Sequence, residues 1–297
     1  METAIRTRRL TKRYRTRPAL QDLDLEVPRN VVFGYLGPNG AGKTTTIRLL
    51  AGLLRPSAGS AEILGRDTVR RREEAQRHIG YLPGDFAVYR DLTGEQYLRF
   101  IGNLRGGVDR SFVDHLAKRL DLDRSVRVGG LSHGNRQKLG IIQAFMHRPD
   151  VLILDEPTAG LDPLIQREFL GLVREARDEG RTVFLSSHIL DEVEAVADMV
   201  AILRHGRLVV VESVENLKAR AVRRIDLVFE GPPPVAALRA VPAVREARST
   251  GHTAHLVVEG SMAGLLAVAA PHGVEHVVTH EPNLEEIFVR YYTTGKV

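Results

Sequence analysis

Nine residues constrain this chain more than any other stretch: "GPNGAGKTT" at 37–45. They satisfy G-x-x-x-x-G-K-[ST], directly after the apolar run "VVFGYL" (31–36) and directly before the helix-like "KTTTIRLLAGLL". Strand, glycine loop and helix start together make a phosphate cradle. Its backbone N–H groups turn inward, and the helix adds the positive end of its dipole. Gly37, Gly40 and Gly42 permit the turn, with Asn39, Ala41 and Thr45 completing the loop. Lys43 is expected to reach β- and γ-phosphates, and the Thr44 hydroxyl to ligate Mg²⁺.

The rest of the chain supplies the sheet that such a loop needs. "VLILD" (151–155) is a second continuously apolar run, read as an interior strand, while "ALQDLDLEV" (19–27) alternates as a half-buried one. Between the two apolar runs, Thr93 and Gln96 stand at capping-box spacing, and Phe112, Val113, Leu116 and Leu120 recur at helical intervals, so a helical insert over about 85–148 splits the sheet. Pro163 opens a helix that Gly180 closes, followed by strand "TVFLSS" and a helix from about Ile189. Strands alternating with helices predict an α/β fold with a parallel sheet. Beyond Glu212 the predicted order becomes β-α-β-β-α-β, the split βαβ arrangement, ending in the helix "NLEEIFVRYY". Two domains are expected, 1–220 and 221–297.

Composition narrows the function classes. The chain has no cysteine, so disulfides and thiolate metal sites are excluded. Its longest apolar run, Met262 to Ala270, is shorter than the roughly 18 residues of a membrane span, and "METAIRTRRL" has no signal core, which reads as a soluble, cytoplasmic protein. The net charge of +5 is concentrated in "RTRRLTKRYRTR" (6–17) and favours polyanions without choosing among nucleic acid, lipid and nucleotide. Most of these arginines read as a solvated basic surface.

Three further motifs carry chemistry. At the end of "VLILDEP", Asp155 is suited to hold a metal through water, and Glu156, projecting to the other side, to polarise an attacking water. "LSSH" ends the next strand with His188, so polar groups gather at the carboxyl edge of one sheet, where ligands bind in parallel sheets. In "GGLSHGNRQKLG" (129–140), Ser132 is a candidate N-cap, Gly134 admits a phosphate, and the helix from Asn135 offers unsatisfied N–H groups. That is a second anion site. It faces the same nucleotide only if the insert folds back over the loop; otherwise it serves the nucleotide of another copy. Histidines 272, 276 and 280 invite a metal hypothesis for the tail, but surface histidines suffice to account for them.

"GPNGAGKTT", "LSHGN", "VLILDEP", "AGLD" and "LSSH", in this order, resemble the ATP-binding cassette (ABC) ATPases over roughly residues 1–220. The resemblance implies a P-loop NTPase cassette, with a mixed sheet core and a helical subdomain, followed here by a small α+β ferredoxin-like domain. It implies two cassettes stacked head to tail as a homodimer around two ATP, each binding Mg²⁺. By the family pattern Tyr14 stacks on adenine, Lys43 and Thr44 hold phosphate and metal, and Glu156 activates water. Asp162 communicates across the dimer, His188 contacts the γ-phosphate, and Ser132, His133, Gly134 and Asn135 act on the partner's ATP. Signature segments of the family usually read Leu-Ser-Gly-Gly-Gln, so His133 and Asn135 are departures. Another is Gly84 in "IGYLPGDF", where the family has glutamine; Asp85 is a candidate replacement metal contact or part of a simple turn. The tail resembles that of ATPase subunits of bacterial drug and antibiotic exporters. A separate transmembrane permease is then the expected partner, with the chain peripheral at the inner face of the cell membrane. The competing expectations are a soluble ABC ATPase acting on nucleic acid or ribosomes, and a nucleotide-dependent ligand-sensing switch; single cassettes without coiled coils make nucleic acid the weaker partner.

Overall fold

A computed structural model describes residues 2–15, 17–84, 86, 89–220 and 223–280. Two long strands come first, β1 (Thr3–Tyr14) and β2 (Arg17–Pro28), paired antiparallel, then β3 (Val32–Leu36) and helix α1 (Lys43–Leu50). The basic run read as a solvated surface is thus mostly strand. Its core residues Ile5, Thr7 and Leu10 are spaced irregularly because the strand carries bulges, and the intervening arginines mask them; Arg6 pairs with Glu26 of β2 at 2.8 Å. Strands β4 (Ala58–Ile63) and β5 (Arg66–Asp67) complete a sheet of order β2-β1-β4-β5. Helix α2 (Arg72–Arg77) and strand β6 (Ile79–Leu82) lead into the helical insert.

The insert comprises α3 (Gly94–Leu104), α4 (Arg110–Arg119) and α5 (His133–Phe145). Thr93 and Gln96 form both halves of a capping box on α3. The chain then returns through β7 (Val151–Asp155), α6 (Pro163–Asp178), β8 (Thr182–Ser187), α7 (Leu190–Val196), β9 (Met199–Arg204) and β10 (Arg207–Ser213). The second sheet has order β10-β9-β3-β8-β7-β6, with the five strands from β9 to β6 parallel to one another. Its register sets Leu36 opposite Ser187 and Asp155 opposite Ser186, which levels three strand ends at one edge. Phe33 stacks on Phe184 at 5.7 Å inside the core beneath that edge.

A separate unit begins at Glu212, where the sequence also changes character, and α8 (Val214–Arg220) falls in it. The tail continues with β11 (Arg223–Phe229), α9 (Val235–Arg239), β12 (Val244–Thr250), β13 (Thr253–Val258), α10 (Ala263–Ala269) and β14 (Val274–His280). Its sheet has order β12-β13-β11-β14, antiparallel throughout, with Ile225, Leu227, Leu256 and Leu265 in a core of its own. The predicted terminal helix, 283–292, lies outside the described residues.

Candidate functional site

The glycine loop joins β3 to α1. Gly42, the N-cap of α1, has φ +112°, and a Cβ there would also lie 2.6 Å from the carbonyl oxygen of Ala19, so only glycine fits. No side chain caps α1 and no acidic residue stands in its first turn. Its leading N–H groups therefore keep their capacity for an anion. Lys43 is buried, 6% exposed, with Nζ donating to the Gly37 carbonyl at 2.5 Å and standing 3.3 Å from Glu156 Oε1. Of three consecutive threonines, Thr44 is exposed while Thr46 turns inward to the Tyr35 hydroxyl, 3.1 Å away.

Adjacent carboxylates at the end of β7 meet opposite fates. Asp155 is 1% exposed; its Oδ1 accepts from Ser186 Oγ at 2.6 Å, and its Oδ2 has no hydrogen-bond partner among the described residues. Glu156 takes φ +48°, a left-handed conformation costing a non-glycine residue about 1–2 kcal/mol. Its amide donates to the Ser186 carbonyl and Oγ at 3.1 and 3.2 Å. These bonds hold the turn, which carries the Glu156 side chain away from Asp155. Its Oε1 then meets Lys43, and its Oε2 lies 2.7 Å from His188 Nδ1. Lys43, Glu156 and His188 thus form one contact chain across three elements.

A buried carboxylate oxygen without a donor suits a hard cation, and Mg²⁺ is commonly held by one or two carboxylates with substrate phosphates completing the shell. Asp155 Oδ2 and the exposed Thr44 hydroxyl are the groups that fit it. Gly84 faces the same oxygen: a Cβ there would lie 3.3 Å from Asp155 Oδ2. Asp85 lies outside the described residues.

The 132–135 segment is the start of α5, two residues earlier than the sequence pattern places it. Ser132 is the N-cap, its Oγ accepting from Asn135 N at 3.2 Å. Gly134 has a nearer reason than phosphate approach: a Cβ there would come within 2.6 Å of the Gly160 carbonyl oxygen. The exposed His133 does not simply face solvent, because its ring edge packs over Gly160, with Nδ1 2.5 Å from where a Cβ would stand. Gln137, which sequence reasoning passed over, is 2% exposed and donates to the carbonyls of Glu156 and Pro157 at 3.2 and 3.0 Å. A polar residue on the apolar face of α5 was its only signal. Asp162 is the N-cap of α6, accepting from Leu164 N and Ile165 N at 3.1 Å each. Tyr14 ends β1, 47% exposed, with Lys12 Nζ 5.4 Å from its ring centre.

In the tail, His280 and His255 both contact Asp226, at 3.0 and 2.7 Å. Among the described residues no group of three or more His, Cys, Asp or Glu is arranged to hold a metal ion.

Comparison with known proteins gives a consistent set of relatives. Residues 20–159 match the family described as ABC transporter. The chain is 38% identical over 223 residues to the bacitracin transport ATP-binding protein BcrA of Bacillus licheniformis, covering 74% of this chain and 73% of that one. It is also 38% identical over 223 residues to the daunorubicin/doxorubicin resistance ATP-binding protein DrrA of Streptomyces peucetius, covering 73% and 67%. A solved ATP binding subunit of an ABC transporter matches with TM-score 0.68 at 30% identity, covering 73% of this chain and 92% of that one. The dimeric cassette MJ0796 shares the fold, with TM-score 0.64 at 21% identity over 71% and 98% of the two chains.

Proposed function

The chain belongs to the family of ABC transporter ATP-binding proteins, and from that premise we propose that it closes as a homodimer around two ATP molecules to power export by a separate membrane subunit. The observation that carries the reading is the Lys43–Glu156–His188 chain at the mouth of the glycine loop. ATP phosphates entering the loop compete with Glu156 for the Lys43 ammonium and meet the uncapped N–H groups of α1. Glu156, relieved of that pair, accepts the proton of the attacking water, while His188 orients it and donates toward the γ-phosphate. Asp155 and Thr44 would hold Mg²⁺, which would neutralise phosphate charge there. In this reading the exposed Tyr14 ring stacks on adenine, and the start of α5 at Ser132, His133, Gly134 and Asn135 turns to the phosphate of the second copy. Asp162, already a helix cap, sits beside Leu164, which at 72% exposure is an apolar side chain offered to a second copy.

The permease contact has a physical counterpart as well. Tyr89, Phe100 and Leu104 are 60%, 41% and 70% exposed, and Tyr89 meets Phe100 edge to face at 5.6 Å. Such an apolar patch on the helical insert favours docking of a partner's apolar segment. No helix among the described residues is long and apolar enough to cross a membrane. The relatives' roles in bacitracin transport and daunorubicin/doxorubicin resistance support a drug, antibiotic or lipid-like substrate and a position at the inner face of the cell membrane.

Mixing two dead variants tests the shared site. In a mixed dimer of Lys43→Ala with Ser132→Arg, one of the two composite sites keeps an intact loop from one copy and an intact α5 start from the other. ATPase activity is therefore expected to return on mixing, though each variant alone is inactive. A mixture as inactive as its components would contradict the homodimer.

A further inference from the structure

Behind the site lies a carboxylate that the proposed chemistry does not use. Glu192, in the first turn of α7, is 8% exposed. Its Oε2 accepts from Thr158 Oγ1 at 2.6 Å and stands 3.4 Å from Ser187 Oγ. Thr158 is 3% exposed and Ser187 is fully buried. Ser187 Oγ in turn accepts from the Ile189 amide at 2.9 Å, so its hydroxyl spans the backbone on both sides of His188. Thr158 stands two residues beyond Glu156, in the turn whose carbonyls Gln137 holds from the other side.

The placement is costly, which argues against accident. A buried carboxylate gives up hydration worth several kcal/mol unless donors replace it. Here one oxygen is satisfied and Oε1 has no partner among the described residues. Burial raises the pKa of Glu192, and the negative charge of Glu156 raises it further, while donation from Thr158 and Ser187 opposes both. The same carboxylate is thus bonded to the turn that bears one member of the Glu156–His188 pair and reaches toward the strand end that bears the other.

We propose that Glu192 is a positioning residue for ATP hydrolysis: through Thr158 and Ser187 it ties the Glu156 turn to the His188 strand end, and so keeps the two side chains in register. The inference rests on the assignment of Glu156 and His188 above. Small displacements of a catalytic base cost about 100-fold in rate, and residues that act as one unit show non-additive losses.

The test is steady-state ATPase activity of the full chain, with ATP affinity measured beside it. Glu192→Ala is expected to lower kcat about 100-fold while KM for ATP changes less than about twofold. Thr158→Val, which keeps the shape and removes the donor, should lower kcat at least tenfold, and Thr158→Ser should restore it. The Glu192→Ala/Thr158→Val double variant should be no slower than Glu192→Ala alone. Full kcat in Thr158→Val, losses that multiply in the double variant, or losses confined to KM would each overturn the link. Glu156→Gln in the same assay separates the levels. If it hydrolyses ATP at the normal rate, the assignment of the base falls; if it is inactive while Thr158→Val is fully active, only the link falls.

Discussion

Two carboxylate–imidazole contacts of equal length, 2.7 Å, occur in the two units of this molecule, and they differ in everything except that length. Glu156 meets His188 from a left-handed turn at the carboxyl edge of a parallel sheet, beside a buried lysine and an uncapped helix start. Asp226 meets His255 from the middle of an antiparallel ladder, where register already sets the two residues opposite each other, and it is shared with His280 of the next strand. One contact stands on a left-handed turn and, in the function proposed above, serves a ligand; the other is a cross-strand pair of the kind sheets make for stability. The pair of groups does not identify a site. What sets the first pair apart is its setting, a buried lysine as further partner and an uncapped helix start beside it.

The largest effect that distinguishes them is on rate. Glu156→Gln should lower ATP turnover about 1,000-fold, the scale of a lost general base, whereas Asp226→Asn should leave it within about twofold. Comparable losses from both in a turnover assay would erase the distinction. His188→Ala should follow at about 100-fold, while His255→Ala leaves turnover unchanged.

A smaller contrast lies in acid stability. His147, just beyond α5, is held down to about 4 by burial and by the charge of Arg105. Between its ordinary 6.5 and about 4 the unfolded chain binds a proton that the folded chain refuses, so stability falls as pH drops through that window. The loss is on the order of 3 kcal/mol, and His147→Gln should flatten the pH dependence of the denaturation midpoint. Asp226 behaves otherwise. Burial would raise its pKa, but hydrogen bonds from His280 and His255 outweigh this and hold it below the ordinary 3.8. Its contribution is present above 3.8 and is lost only as pH falls through the lower folded value. Hydrogen exchange followed against pH should therefore show the first unit loosening before the tail. The smallest effect is that of Asp226→Asn on the tail, a fall of about 4 °C or less in its melting midpoint by calorimetry.

Local signals were legible in the sequence and distant ones were not. The glycine loop, the Ser132 cap, the Pro163 helix start, the Thr93–Gln96 box and the order of elements along the tail are written in residues a few positions apart, so spacing alone exposes them. β1 was hidden because bulges break its alternation and arginines fill the exposed positions. Ser186, Gln137 and Glu192 were missed because each acts on a partner 19 to 34 residues away, through contacts that only the folded chain creates. Gly134 shows the same limit from the other side. Its glycine was recognised, but the Gly160 carbonyl that makes glycine necessary belongs to another loop.

In the proposed function Glu156 activates the water that hydrolyses ATP, in a site completed by a second copy. Light scattering on Glu156→Gln with ATP and Mg²⁺ measures it directly. Arrested hydrolysis should trap the closed state, giving twice the monomer mass with two ATP bound, and removing the nucleotide should return it to the monomer. A variant that binds ATP and stays at monomer mass would contradict the account.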